Sequence, residues 1–180
     1  MTGSNFPGNF VTVNLASSSN VVYDGANQTI ASFTYGNLIL SATTGVATKT
    51  MPSAALIILG DLSSNIGTGT AVTYTAFSNF TVSGNLNVGT GATFVASYYI
   101  HSIGGNLNVT GTLNSTGSKF ILNGTSGQNI SSASAFNKLV IQKNSGVVNL
   151  LTNISMNDSL TFIKGNIRTS TNKVIINTTG

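Results

Sequence analysis

The sequence predicts an all-β chain wound as a right-handed parallel β-helix (a solenoid) of about seven to eight coils, and three observations carry that expectation. First, the phrase Gly84-Asn85-Leu86-Asn87-Val88 returns as Gly105-Asn106-Leu107-Asn108-Val109, roughly 21 residues later. Looser echoes, Gly36-Asn37-Leu38 and Gly60-Asp61-Leu62, precede it at intervals of about 24 residues. A short strand that recurs in this way suits a stack in which each coil closes the apolar face of its neighbour. Second, only 6% of the 180 residues are charged, and Glu is absent. Without Glu, and with few Lys and Arg, an exposed helical face is hard to build. Third, the polar surface must come from Thr, Asn, Ser and Gly, which favour strands and turns.

Alternation between apolar and polar residues, bounded by Gly, Asn or Ser, places the strands in order. They are expected over residues 10–15, 21–23, 28–33, 37–40, 55–59 and 71–74. The middle of the chain adds 80–82, 85–88, 93–96, 106–109 and 119–122. The last set is 138–141, 147–150, 159–163, 166–168 and 173–176. The pairs Leu86/Val88, Leu107/Val109, Leu139/Ile141 and Leu160/Phe162 are expected to point inward. Asn85 and Asn106, at one coil position, can form an amide ladder. Coil intervals of about 15 to 24 residues and an interstrand spacing of ~4.8 Å give a rod of roughly 35 Å. Strands this short are too small for a porin-like barrel. A β-sandwich array of Ig-like domains is the competing architecture, and it does not account for the recurring phrase.

A longer repeat overlays the short one. Val22-Tyr23-Asp24-Gly25, Gln28, Ile30, Tyr35, Leu38, Leu40 and Gly45-Val46 match Ile121-Leu122-Asn123-Gly124, Gln128, Ile130, Phe136, Leu139, Ile141 and Gly146-Val147, about a hundred residues on. The expectation is one solenoid segment over residues 1–180, repeating internally at about 21–118 and 119–180 and forming part of a longer repetitive protein.

Composition argues against several function classes. The seven Lys and Arg residues give a net charge of +4 but no dense stripe for a phosphate backbone, so no nucleic-acid partner is expected. Cysteine is absent, which removes disulfides and thiolate metal sites. No segment approaches the ~18 apolar residues of a membrane helix, so no membrane insertion is expected. Met1 is followed by Thr-Gly-Ser-Asn rather than a basic start and an apolar stretch, so any export signal is expected upstream or already removed.

Catalysis is poorly provisioned. Asp24, Asp61 and Asp158 are far apart in sequence, whereas glycoside hydrolysis needs paired carboxylates. His101 is the sole histidine, with no nucleophile or second metal ligand to nominate beside it. No catalytic residue, cofactor or metal ligand is therefore expected. Gly67-Thr68-Gly69 and Gly89-Thr90-Gly91 read as turns, since no Lys-Ser/Thr follows them. Tyr98, Tyr99 and His101 form the one candidate ligand-binding surface, a platform on which a sugar could stack, although one tyrosine is expected to face the core. Thr-x-Thr at Thr48/Thr50, Thr68/Thr70 and Thr73/Thr75 raises an ice-binding reading, with the motifs expected out of register on successive coils.

Leu160-Thr161-Phe162-Ile163-Lys164-Gly165-Asn166-Ile167-Arg168-Thr169, followed by Asn172-Lys173-Val174-Ile175-Ile176, has a familiar wording. So has Phe136-Asn137-Lys138-Leu139-Val140-Ile141 followed by Gly146-Val147. Both resemble repeats of very long secreted surface proteins and gliding-type adhesins of Bacteroidota, and the resemblance covers most of residues 20–180. It implies export to the bacterial cell surface and service as a non-enzymatic stalk or adhesin segment of a fibre. The expected partners are neighbouring repeats, copies stacked end to end, and surface glycans. The family supplies no catalytic residues to carry over. A carbohydrate-binding module is the alternative, with a polysaccharide-processing β-helix behind it.

Overall fold

The computed structural model describes Phe6, residues 13–64 and residues 70–177. The Gly67-Thr68-Gly69 turn and residues 10–12 of the first expected strand lie outside the described residues; residues 13–15 carry no strand. Every helix or strand element among the described residues is a strand, so no helix there is long and apolar enough to cross a membrane.

Three strands per coil build the first part of the stack. The first coil carries β1 (Asn20–Tyr23), β2 (Gln28–Thr29) and β3 (Thr34–Tyr35), and the second β4 (Asn37–Leu40), β5 (Val46–Thr50) and β6 (Leu56–Ile58). The third holds β7 (Leu62–Ser64), β8 (Ala71–Thr75) and β9 (Phe80–Val82). Next come β10 (Leu86–Val88), β11 (Ala92–Val95) and β12 (Ile100–Ile103), then β13 (Leu107–Val109), β14 (Thr112–Asn114) and β15 (Lys119–Leu122). The remaining coils carry two strands each: β16 (Gln128–Ser132) with β17 (Phe136–Gln142), β18 (Val148–Leu150) with β19 (Ile154–Lys164), and β20 (Ile167–Arg168) with β21 (Val174–Ile176). All pairings are parallel and join equivalent strands of successive coils. The result is a β-solenoid of about seven turns with two eight-stranded faces and one five-stranded face. We call them the first face (β1 to β20), the second face (β2, β5, β8, β11, β14) and the third face (β3 to β21).

The recurring phrase marks the coil repeat itself. Leu38, Leu62, Leu86 and Leu107 pair in one column, and Asn87 lies opposite Asn108. Coil length along this column varies from 17 to 24 residues. Leu38, Leu62, Leu86, Val88, Leu107, Val109, Leu139 and Ile141 are all buried, so the period-two alternation is met on both long faces. Leu160 and Phe162 depart from it. They pair with buried Leu139 and Ile141, yet Leu160 is half-buried and Phe162 is 51% exposed, because no further described strand covers β19 beyond Met156.

Most of the hundred-residue repeat does not match equivalent coil positions, although Tyr35 and Phe136 share the third face. Tyr23 lies on the first face but its counterpart Leu122 on the third; Gln28 lies on the second but Gln128 on the first. A coil whose length varies brings similar local sequence to different corners. What the two copies share is a local turn. Gly25 N–H donates to Gln28 Oε1 at 3.0 Å, and Gly124 N–H donates to Gln128 Oε1 at 2.9 Å.

Aromatic residues fill the three-sided core. Tyr74 stacks on Phe94 with ring centroids 4.8 Å apart, and Phe120 meets Phe136 edge-on at 5.6 Å. Nearer the N-terminal end, Tyr35 Oη donates to Ala31 O at 2.7 Å. Tyr23 Oη therefore donates to Tyr35 Oη at 3.0 Å and accepts Ala31 N–H at 3.1 Å. Both buried hydroxyls are satisfied within one short loop.

Candidate functional site

A side-chain ladder runs along the first face from β1 to β18. Asp61 N–H donates to Asn37 Oδ1 at 2.8 Å, Asn85 N–H to Asp61 Oδ1 at 2.7 Å, Asn106 N–H to Asn85 Oδ1 at 2.8 Å, and Asn129 N–H to Asn106 Oδ1 at 2.7 Å. Side-chain amides tie the ends: Asn37 Nδ2 donates to Asn20 Oδ1, and Asn149 Nδ2 to Asn129 Oδ1. Each of these carboxamides, and the Asp61 carboxylate, accepts from the following coil, so the ladder satisfies strand-entry backbone groups that the sheet does not pair. A column of glycines makes it possible. A Cβ on Gly60 would collide with the Asn37 carboxamide, and one on Gly84 with the Asp61 carboxylate and the Gly60 carbonyl. The Gly-Asn-Leu phrase is thus a single device, with glycine leaving room for the amide of the preceding coil.

Two buried lysines close turns of the stack in the same way. Lys49 Nζ donates to Gly25 O at 2.5 Å, Ala26 O at 2.9 Å and Gln28 Oε1 at 2.6 Å. Lys143 Nζ donates to Gly124 O at 2.7 Å, Ser126 O at 2.8 Å and Gln128 Oε1 at 2.7 Å. Three donors meet three acceptors in each case. Burial pushes the Lys49 ammonium down to about 8, and the Asp24 carboxylate works in the opposite direction; burial lowers Lys143 as well. Both groups hold one coil to the turn of an earlier one.

Of the three residues nominated as a ligand surface, the fold keeps Tyr98 and Tyr99 together at one cleft and removes His101. Tyr98 is 80% exposed, while Tyr99 is partly buried and packs against the core, as expected for one tyrosine of the pair. His101 is fully buried and leaves the surface altogether, because it occupies an inward position of β12 opposite Phe80 and Phe120. Its ring stacks on Phe80 at 4.0 Å, with Phe120 at 5.3 Å and Phe94 at 5.5 Å. Nε2 lies 2.9 Å from Ala96 O and donates to it, while Nδ1 is buried with no partner. Burial pushes the imidazole down to about 4, although the Ala96 hydrogen bond pulls the other way. This is a neutral core histidine.

Tyr98 belongs instead to a cleft of about 480 Å³ at the corner between the second and third faces. Phe77, 47% exposed, comes from the coil before; Asn114 and Thr116 come from the coil after; Ser97 sits at the rim. Its lining carries no charge. Ser97 adopts φ +54°, and the Tyr98 ring crosses Gly117 (φ +75°) so closely that a Cβ there would overlap it. Sequence reading missed Phe77, Asn114 and Thr116, whose only signal is their place in the coil register.

The acidic residues do not converge. Asp61 is a rung of the ladder, Asp24 acts on Lys49, and Asp158 pairs with Lys138 at 3.5 Å on the surface. Among the described residues no group of three or more His, Cys, Asp or Glu could hold a metal ion.

The second face overturns one expectation from sequence. Thr48 pairs with Thr73, Thr73 with Thr93 and Thr93 with Thr112, while Thr29, Thr50 and Thr75 form a parallel column. Thr48/Thr50 and Thr73/Thr75 therefore lie in register on successive coils. The long loops absorb the differences in coil length, so unequal sequence spacing hides an unshifted sheet. Compared with protein-family models, with curated proteins and with solved structures, the chain matches none.

Proposed function

We propose that this chain is a non-enzymatic structural segment of an extracellular surface fibre, a stalk or spacer that presents adhesive elements carried on the same assembly. The observation that carries the reading is the uncovered apolar surface of the last two coils. Phe162 is 51% exposed, Ile163 63% and Ile176 47%, although Phe162 continues the inward column of Ile141. A strand with this pattern accepts one more coil of the same kind, from the same polypeptide or a second copy. Neutral Asn, Ser and Thr outside and continuous inter-coil hydrogen bonds inside suit a rod that bears load and resists nonspecific contact.

The test is the size of the native polypeptide in its source cells, read by immunoblot of surface fractions with antibody to this segment. A band far above the 18.4 kDa of this chain is the expected result. A band at that mass, together with a strictly monomeric protein in analytical ultracentrifugation, would overturn the reading.

A second reading rests on the Phe77/Tyr98 cleft, whose exposed rings, neutral polar rim and volume of about 480 Å³ suit a neutral sugar ring. Tyr98→Ala is expected to abolish retention on a glycan column while leaving circular dichroism unchanged. Equal retention by the variant would remove the site.

A further inference from the structure

We infer that the threonine-paved second face binds ice. This goes beyond the stalk reading and does not depend on it. The inference starts from the register. Five parallel strands pair without a shift, and their outward side chains form two long columns beside a short one of Val46 and Ala71. One column reads Thr48, Thr73, Thr93, Thr112; the other reads Thr29, Thr50, Thr75, then Val95 and Asn114. Val95 keeps the shape of threonine with a methyl in place of the hydroxyl. These side chains are exposed or half-exposed, while Lys49, Tyr74, Phe94 and Leu113 between them point into the core.

The face therefore carries hydroxyls, methyls and, at its end, the Asn114 amide, with no charge, although Lys49 lies in the middle of β5. The columns repeat at ~4.8 Å from coil to coil, and the two columns stand roughly 6.6 Å apart along the strand. A lattice with two fixed repeats is complementary to a partner that has such repeats itself. Folded protein surfaces lack them; a crystalline solid has them. Ice fits this chemistry best, because its surface oxygens repeat at comparable distances and accept and donate hydrogen bonds as hydroxyls do. The β-branched methyls hold each hydroxyl in a narrow set of rotamers, so little ordering entropy is lost on binding. Crystalline polysaccharide fits less well, since sugar faces are recognised by aromatic stacking and no aromatic side chain points outward from these columns. Exposed Phe77 and Tyr98 stand at the corner beyond these strands.

The chain as it stands can be tested by partition into a slowly growing ice hemisphere and by thermal hysteresis with observation of crystal shape. The expected result is enrichment in the ice fraction and faceted crystals. Thr73→Lys, at the centre of the face, is expected to lose both. Asn108→Lys, on the first face, is expected to keep both. If Thr73→Lys alters circular dichroism, Thr93→Tyr places a bulky group on the same column as a second variant. Exclusion of the folded wild-type protein from ice overturns the inference. Full ice activity in a folded Thr73→Lys or Thr93→Tyr protein also overturns it, as does retention on crystalline cellulose or chitin without any effect on ice.

Discussion

His101 shows how a single side chain can be reassigned by its surroundings. In sequence it is the one imidazole in 180 residues and sits three positions from an exposed tyrosine. In the fold it is a flat ring among Phe80, Phe94 and Phe120, with one nitrogen satisfied and the other bare. The consequence is a pH dependence of stability. Burial holds the folded imidazole at about 4 against 6.5 when free, so between these values the unfolded chain binds more protons than the folded one. Stability is therefore complete above pH 6.5 and falls as pH drops towards 4, by about 3 kcal/mol over the window. Urea denaturation at pH 7 and pH 4 should show this drop in the wild type. His101→Phe, which preserves the stack, should show a much smaller one. Equal drops in the two proteins would mean that the ring is not the titrating group.

At the scale of the element, the Gly-Asn-Leu strand entry joins three constraints: a glycine without Cβ, an amide reaching the next coil, and a leucine facing the core. Gly84→Ala forces a methyl into the Asp61 carboxylate and the Gly60 carbonyl, and the nearby backbone cannot withdraw because Gly84 N–H already bonds Gly60 O at 2.9 Å. The expected cost is about 2 to 4 kcal/mol, the range of overpacking with local loss of hydrogen bonds. By contrast, Gly45→Ala meets nothing within 4 Å and should cost only the strain of its φ of +58°, about 1 kcal/mol. Thermal melts of the two variants decide this, and equal shifts would sink the steric account of the glycine column. These entries were also the legible part of the sequence, because apolar alternation and the repeated phrase reinforce one another there. Apart from β2 with its buried Gln28, strands with a polar residue facing inward were not. Residues 46–50, 62–64, 100–103 and 128–132 form β5, β7, β12 and β16, whose buried polar members are Lys49, Ser64, His101, and Gln128 with Ser132. Each breaks the alternation that marks a half-buried strand. The threonine columns and the Phe77/Tyr98 cleft were hidden for a different reason: both arise from register between coils of unequal length, which no local pattern records.

As a whole molecule the solenoid is nearly one-dimensional, since each coil packs chiefly on its two neighbours and its stability is the sum of local and nearest-neighbour terms. Central coils have both neighbours. The final coil has one, and it also lacks the second face, whose last strand is β14. The apolar residues of the last two coils show the deficit: Leu86 and Leu107 are buried in the middle, whereas Phe162 and Ile163 of β19 and Ile176 of β21 are exposed by 51%, 63% and 47%. Leaving a large side chain half-uncovered forfeits on the order of 1 kcal/mol, so several such residues make the end coil open well before the rod does. Amide hydrogen exchange should therefore be graded, slowest in β7, β10 and β13, faster towards β18 and fastest in β20 and β21. Two truncations sharpen the expectation. Leu86→Ala removes a fully buried side chain held between two coils and should cost about 2 to 5 kcal/mol in global unfolding. Phe162→Ala should cost about 1 kcal/mol or less and speed exchange only in the last coils. If exchange instead proves uniform along the rod, and Phe162→Ala destabilises as much as Leu86→Ala, the C-terminal coil is covered in solution. End-to-end association would then be the first explanation to pursue, because a second copy stacked there supplies the missing neighbour.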